Sequence, residues 1–188
     1  MAAAPGEPVP LGPLPTDVRP THESLAFEID PESERFRGTA DIALHLDHPR
    51  DHLWLHGRGL AVSAVTITPS GTASGTASGT ASGTSSGAPS GTASGTSSGT
   101  SVSGATLAAR WEEVDPIGVV RVTWPSAVSG DVTLHVAFDA AYDAQLVGVY
   151  RVKTKSGPAV FSKFEAIYAR RAFPCFDEPS FKVPFDVA

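Results

Sequence analysis

Thr39-Ala40-Asp41-Ile42-Ala43-Leu44-His45-Leu46-Asp47 alternates without a break. Ala40, Ile42, Leu44 and Leu46 fall on one side of an extended chain, and Asp41, Ala43, His45 and Asp47 on the other. Strand side chains point alternately to opposite faces, so this is the pattern of a half-buried antiparallel strand. Residues 131–138 repeat it, with Val132, Leu134, Val136 and Phe138 on one face. Upstream, residues 23–30 place Leu25, Phe27 and Ile29 inward and Ser24, Ala26, Glu28 and Asp30 outward, and Asp30-Pro31-Glu32-Ser33-Glu34 supplies the turn between these first two strands. Further strands are expected at 52–56 and 60–68, split by Gly57-Arg58-Gly59, and at 105–111 and 118–124. Residues 146–152 and 159–164 read as a hairpin joined through 153–158. No amphipathic helix is legible, and 165–171 has room for one short turn. The expected fold is all-β, a mainly antiparallel sandwich or saddle-shaped sheet.

Two segments stand outside that pattern. Residues 1–13 form an Ala/Pro/Gly-rich lead expected to be disordered. Within 70–105 glycine recurs every fourth residue from Gly71 to Gly99, with no charge and no aromatic residue. Such a stretch cannot bury enough apolar surface to offset its ordering entropy, and its period of four excludes collagen. A flexible loop of this composition has an r.m.s. span of about 30 to 35 Å. Closure cost grows only with the logarithm of length, so a sheet tolerates it between neighbouring strands.

The totals exclude several classes of function. Net charge is −6 and no Lys/Arg run exceeds two, which disfavours nucleic acid and anionic membranes as partners. A single cysteine rules out an internal disulfide. No apolar run reaches membrane-spanning length, and the first residues lack the basic start and apolar core of a signal peptide. A cytoplasmic location is the default expectation.

The chemistry is concentrated between 161 and 187. Phe161-Ser162-Lys163-Phe164-Glu165-Ala166 is followed by Ala169-Arg170-Arg171-Ala172-Phe173-Pro174-Cys175-Phe176-Asp177-Glu178-Pro179. A strand running into a proline-rich turn can hold one carboxylate rigidly at a cleft edge. Residues 169–179 resemble the signature that closes the β-rich N-terminal domain of zinc aminopeptidases of the aminopeptidase N type. Ser162-Lys163-Phe164-Glu165 stands where that family has T-Q-x-E. Leu14-Pro15-Thr16-Asp17-Val18-Arg19-Pro20-Thr21-His22 resembles its opening L-P-x-x-V-x-P-x-H-Y, with Glu23 in place of Tyr. Phe36-Arg37-Gly38 and Leu53-Trp54-Leu55-His56 resemble the next landmarks. The resemblance covers 14–188 apart from 70–105, and it implies an N-terminal domain incomplete at its C-terminal end.

That resemblance gives Glu165 a role, as the carboxylate that receives the substrate's N-terminal amine. A free α-ammonium has an ordinary pKa of about 7.7 to 8, so it is largely charged at neutral pH, and a blocked or internal peptide leaves the carboxylate unpaired. By itself, a Glu at a strand end is more often solvated surface. Lys163 departs from the family's Gln, which lines the pocket for the first substrate side chain. Either its ammonium points away from that pocket, or the preference moves toward acidic or polar first residues. His48 and His52 have four-residue spacing, but Pro49 disfavours the helix that would align them as metal ligands. His22-Glu23-Ser24-Leu25-Ala26 begins like H-E-x-x-H and ends in Ala26. Cys175 reads as buried filler, and Arg170 and Arg171 as ion-pair partners of Asp177 and Glu178 that pin the turn.

The family's zinc motif H-E-x-x-H and its G-x-M-E-N segment are absent. The resemblance therefore implies zinc in the full-length enzyme and none bound by this chain, no catalytic residue here, and no hydrolysis by the chain alone. The implied partners are the N-terminus of a peptide substrate and a missing catalytic domain. The alternatives are a stand-alone, non-catalytic β-rich binding module, and a structural β domain carrying a spacer.

Overall fold

The computed structural model describes residues 7–70 and 104–188. Most of the 70–105 insertion and the first six residues of the lead lie outside the described residues. Residues 7–13 carry no regular element, and Glu7 accepts hydrogen bonds from Arg50 and His52 at 3.0 and 2.8 Å.

The regular structure among the described residues is almost wholly strand, as the alternation predicts. β1 (Val18–Glu28), β2 (Arg35–His56), β3 (Ala61–Pro69), β4 (Leu107–Ala108), β5 (Arg110–Glu113), β6 (Val119–Ala141) and β9 (Phe185–Val187) build a sheet in the order β4-β3-β6-β2-β1-β9, with β5 also paired to β6. β7 (Gly148–Thr154) and β8 (Gly157–Lys163) form a separate hairpin. The predicted hairpin is present, with a tighter connection than the sequence suggested. A single 3-10 turn at Ala169–Arg171 is the short turn anticipated in 165–171.

Two long strands replace four predicted short ones. The segments read as 39–47 and 52–56 are one strand, β2, and those read as 118–124 and 131–138 are one strand, β6. The two pair antiparallel from Arg35 opposite Ala141 to His56 opposite Val119. Proline cannot donate to a ladder, so Pro49 and Pro125 would ordinarily mark the end or edge of a strand. Here both fall where the register skips, between Leu46 and His52 on β2 and between Gly130 and Thr123 on β6. Pairing resumes beyond the irregularity, so the prolines interrupt the ladder without ending either strand.

The inward faces predicted for β2 and β6 are the core. Ala40, Ile42, Leu44 and Leu46 meet Val132, Leu134, Val136 and Phe138, all within 2% of complete burial. On the opposite face, directly opposed residues form the hydrogen-bonded pairs His45–Asp131 at 2.6 Å and Asp41–His135 at 2.7 Å. In β1 the prediction needs one correction. The strand ends at Glu28, so Ile29 lies beyond the ladder and is exposed rather than inward. A second feature was not foreseen: β9 joins β1 in parallel and makes the sheet mixed.

The 169–179 signature is clasped to the end of β2. Backbone groups of His56 and Cys175 exchange hydrogen bonds at 2.8 and 3.0 Å, a bridge that carries the turn across the sheet. Arg170 is buried, and its Nε donates to Asp177 Oδ2 at 2.9 Å while its other nitrogens reach the carbonyls of Asp177 and Ile117. Arg171 pairs elsewhere than expected, with Asp143. Glu178 accepts from the backbone N–H of Leu14 at 2.8 Å, so the opening motif and the closing signature meet. Removing one partner of a buried pair leaves the other charge uncompensated, at a cost of about 3–5 kcal/mol. Arg170→Ala is therefore expected to lower unfolding free energy by that amount in urea titration. Glu165→Ala, an exposed change, should stay within about 0.5 kcal/mol of wild type.

Candidate functional site

Glu165 follows β8 by two residues and opens the link to the 3-10 turn. Its position is fixed by what flanks it. Phe164 packs edge-on against Phe173, ring centroids 5.5 Å apart, and the Phe164 carbonyl accepts from the Tyr168 N–H at 2.9 Å. The Glu165 side chain is exposed and makes no ion pair among the described residues. Lys163 ends β8 directly opposite Gly148, is likewise exposed, and is unpaired among the described residues. No side chain stands across from Lys163, because its partner is glycine. Two opposite charges, both exposed, thus sit two residues apart in sequence where the chain leaves the hairpin.

The hairpin is held by polar contacts at its base and by apolar packing beneath. Arg151 donates to the carbonyls of Pro31 (3.1 Å) and Ser33 (2.5 Å) in the β1–β2 turn, and its guanidinium lies 5.6 Å from the Tyr142 ring centroid. Tyr150 stacks on Phe161 across the two strands at 6.0 Å. Between β8 and the β1–β9 edge lies an open groove of about 810 Å³, lined almost entirely by apolar side chains including Leu25, Phe27, Val160, Phe173 and Phe185. Phe164 forms part of its wall, which places Glu165 next in sequence to the rim. Ile167, Phe161 and Val187 are each about half or more exposed nearby.

Several histidines pair with one or two carboxylates each. His22 meets Asp186 at 2.8 Å, and His52 meets Glu7 and Asp51, both at 2.8 Å. His56 is buried, and burial, reinforced by the Arg170 charge, pushes it down to about 4. It is neutral, and its Nδ1 accepts from the Asp177 N–H at 3.2 Å, leaving the proton on Nε2. No group of three or more His, Cys, Asp or Glu arranged to hold a metal occurs among the described residues. Cys175 is buried, and burial pushes its thiol well above the ordinary value.

Glu23 was not singled out by the sequence. It is 1% exposed, its Oε1 has no hydrogen-bond partner, and burial raises its carboxyl to about 8. Two signals were available. It shares the parity of Leu25, which faces inward, and it stands where the resembling family has Tyr.

The peptidase M1 N-terminal domain model matches residues 92–188. A puromycin-sensitive aminopeptidase of Caenorhabditis elegans is 28% identical over 181 residues, covering 93% of this chain and 16% of that protein. A glutamyl aminopeptidase of Homo sapiens is 26% identical over a similar span, again covering 93% and 16%. The chain therefore spans about one sixth of the length of these relatives. The structure of native yeast LTA4 hydrolase shares the fold, with a TM-score of 0.61 and 24% identity over 91% of this chain and 22% of that one. No helix among the described residues is long and apolar enough to cross a membrane. The all-β sheet, the clasped 169–179 signature and these matches agree: the chain belongs to the peptidase M1 N-terminal domain family.

Proposed function

We propose that this domain anchors the free N-terminus of a peptide for a zinc-dependent aminopeptidase, with Glu165 receiving the substrate α-ammonium. The observation that carries this reading is an exposed carboxylate, unpaired among the described residues, two residues past a braced hairpin and next in sequence to Phe164 in the wall of an apolar groove. The zinc and the reacting water belong to a catalytic domain outside this chain, whose own residues bind and orient. In solvent an ammonium–carboxylate pair is worth only about 0–1 kcal/mol. Desolvated, truncation of one partner of such a pair costs about 2–5 kcal/mol. The anchor therefore gains its strength when a neighbouring domain closes over it.

Lys163 refines the substrate class. An ammonium two residues from the anchoring carboxylate repels a basic first side chain and attracts an acidic one, so the favoured first residue is acidic or polar. The likeness to glutamyl aminopeptidase supports this direction. The half-exposed Phe161, Ile167 and Val187 favour a domain that packs against further polypeptide over a stand-alone binding module.

The test is a chimera in which residues 14–188 replace the matching part of an aminopeptidase the chain resembles. Glu165→Gln should lower kcat/KM for peptides with a free amine by about 30-fold or more, the equivalent of about 2 kcal/mol. It should leave thermal stability unchanged. Unaltered kcat/KM would overturn the assignment. In the same chimera, Lys163→Gln should shift the kcat/KM ratio away from acidic and toward neutral first residues. The 188-residue chain by itself should release no N-terminal amino acid with zinc added, as read by product chromatography.

A further inference from the structure

Glu23 and His22 are neighbours on β1 that face opposite sides of the sheet, and both meet β9. Glu23 pairs with Phe185 in the parallel register, and its backbone N–H donates to the Pro184 carbonyl at 3.1 Å. Phe185 is thus the side chain beside Glu23 on the inner face, where it also packs edge-on toward Phe173, centroids 6.3 Å apart. On the outer face His22 Nε2 contacts Asp186 Oδ2 at 2.8 Å.

Among the described residues, no charge pairs with Glu23. Cys175 is the titratable group packed closest from the 172–176 segment. Beyond it Arg170 and Asp177 are bonded to each other, and His56 is neutral. From β2, Glu23 is opposed by the fully buried Ile42. Around the outer contact, Asp41 is already bonded to His135 and Asp47 to Arg19. An ionised Glu23 must therefore be hydrated, since an isolated buried carboxylate costs several kcal/mol.

Among the described residues, only one of the two strands flanking β1 has no further strand beyond it. β2 and β6 lie on one side of β1 and form the sheet centre. On the other side β9 is an edge strand of three exposed residues, tied beyond its register by the Ala188 N–H to Leu25 and the Phe27 N–H to Ala188, at 2.9 and 3.0 Å.

We propose that docking of β9 on β1 is coupled to proton binding: the strand stays paired while Glu23 is neutral and is released when Glu23 ionises. A proton on His22 acts in the same direction, because it makes the contact with Asp186 charge-assisted. The sign follows from the burial of Glu23. Docked, its carboxyl is held up at about 8 against an ordinary 4.5, so docking is fully favoured below about 4.5 and weakens progressively as pH rises toward 8. One proton per event gives a loss of up to about tenfold in the docking equilibrium per pH unit in that window.

The experiment is amide hydrogen exchange on the 188-residue chain between pH 5 and 8, corrected for intrinsic exchange and read at Phe27 and Ala188. Protection should fall with pH in the wild type and stay flat in Glu23→Gln. A wild-type profile independent of pH, or an undiminished slope in Glu23→Gln, overturns the coupling. A reciprocal measurement leaves Glu23 in place. In Phe185→Ala the carboxyl resonance of Glu23 should titrate well below 8, toward 4.5, and a midpoint still near 8 also overturns it.

Discussion

The antiparallel ladder between β2 and β6 is the constraint on which the other parts of the domain rest. It runs over 22 and 23 residues and survives a register break in its middle. Because side chains alternate with period two, a slip of one residue would turn Ile42, Leu44, Leu134 and Val136 out of the core together. That all-or-none cost fixes the register, and with it the pairing of Asp41 with His135 and of His45 with Asp131 on the other face. The ion pairs are exposed and contribute little themselves. Their order follows from the hydrophobic pattern.

Everything nearer the proposed site is hung from the ends of this ladder. His56 closes β2 and receives Cys175, which sets the 169–179 turn. Arg170 then bonds Asp177 within that turn, Arg171 reaches back to Asp143, and Glu178 holds the start of the chain at Leu14. The hairpin β7–β8 is a separate two-stranded unit and would be marginal alone. Arg151 and Val149 fasten it to the β1–β2 turn and to the core. Glu165 is exposed and follows Phe164, whose ring packs edge-on against Phe173.

Much of this was legible because period two is a strong signal where one face is dry. The inward sets of β2 and β6 and the strands of the hairpin follow from it. Strand continuity was not legible, since Pro49 and Pro125 carry the same local meaning whether a strand ends or merely skips. The parallel pairing of β9 was hidden for a related reason. Three residues are too few to show a period, and their partner on β1 lies 162 positions away, from Glu23 to Phe185. Arg171 was assigned to the wrong carboxylate because Asp143 is close only in the fold. Glu23 was missed although its parity pointed inward, since a lone acid in a strand is ordinarily solvated. Glu165 and Lys163 were singled out through the family resemblance of the residues around them rather than through any property of a strand-end charge.

The most direct measurement is a structure of this domain joined to a zinc-containing catalytic domain, with a peptide or amino-acid product bound. The substrate α-nitrogen should lie within about 2.7–2.9 Å of a Glu165 carboxylate oxygen, the distance of a charge-assisted hydrogen bond. An α-nitrogen held by other groups, with Glu165 turned to solvent, would contradict the assignment of this domain as the anchor of the substrate N-terminus.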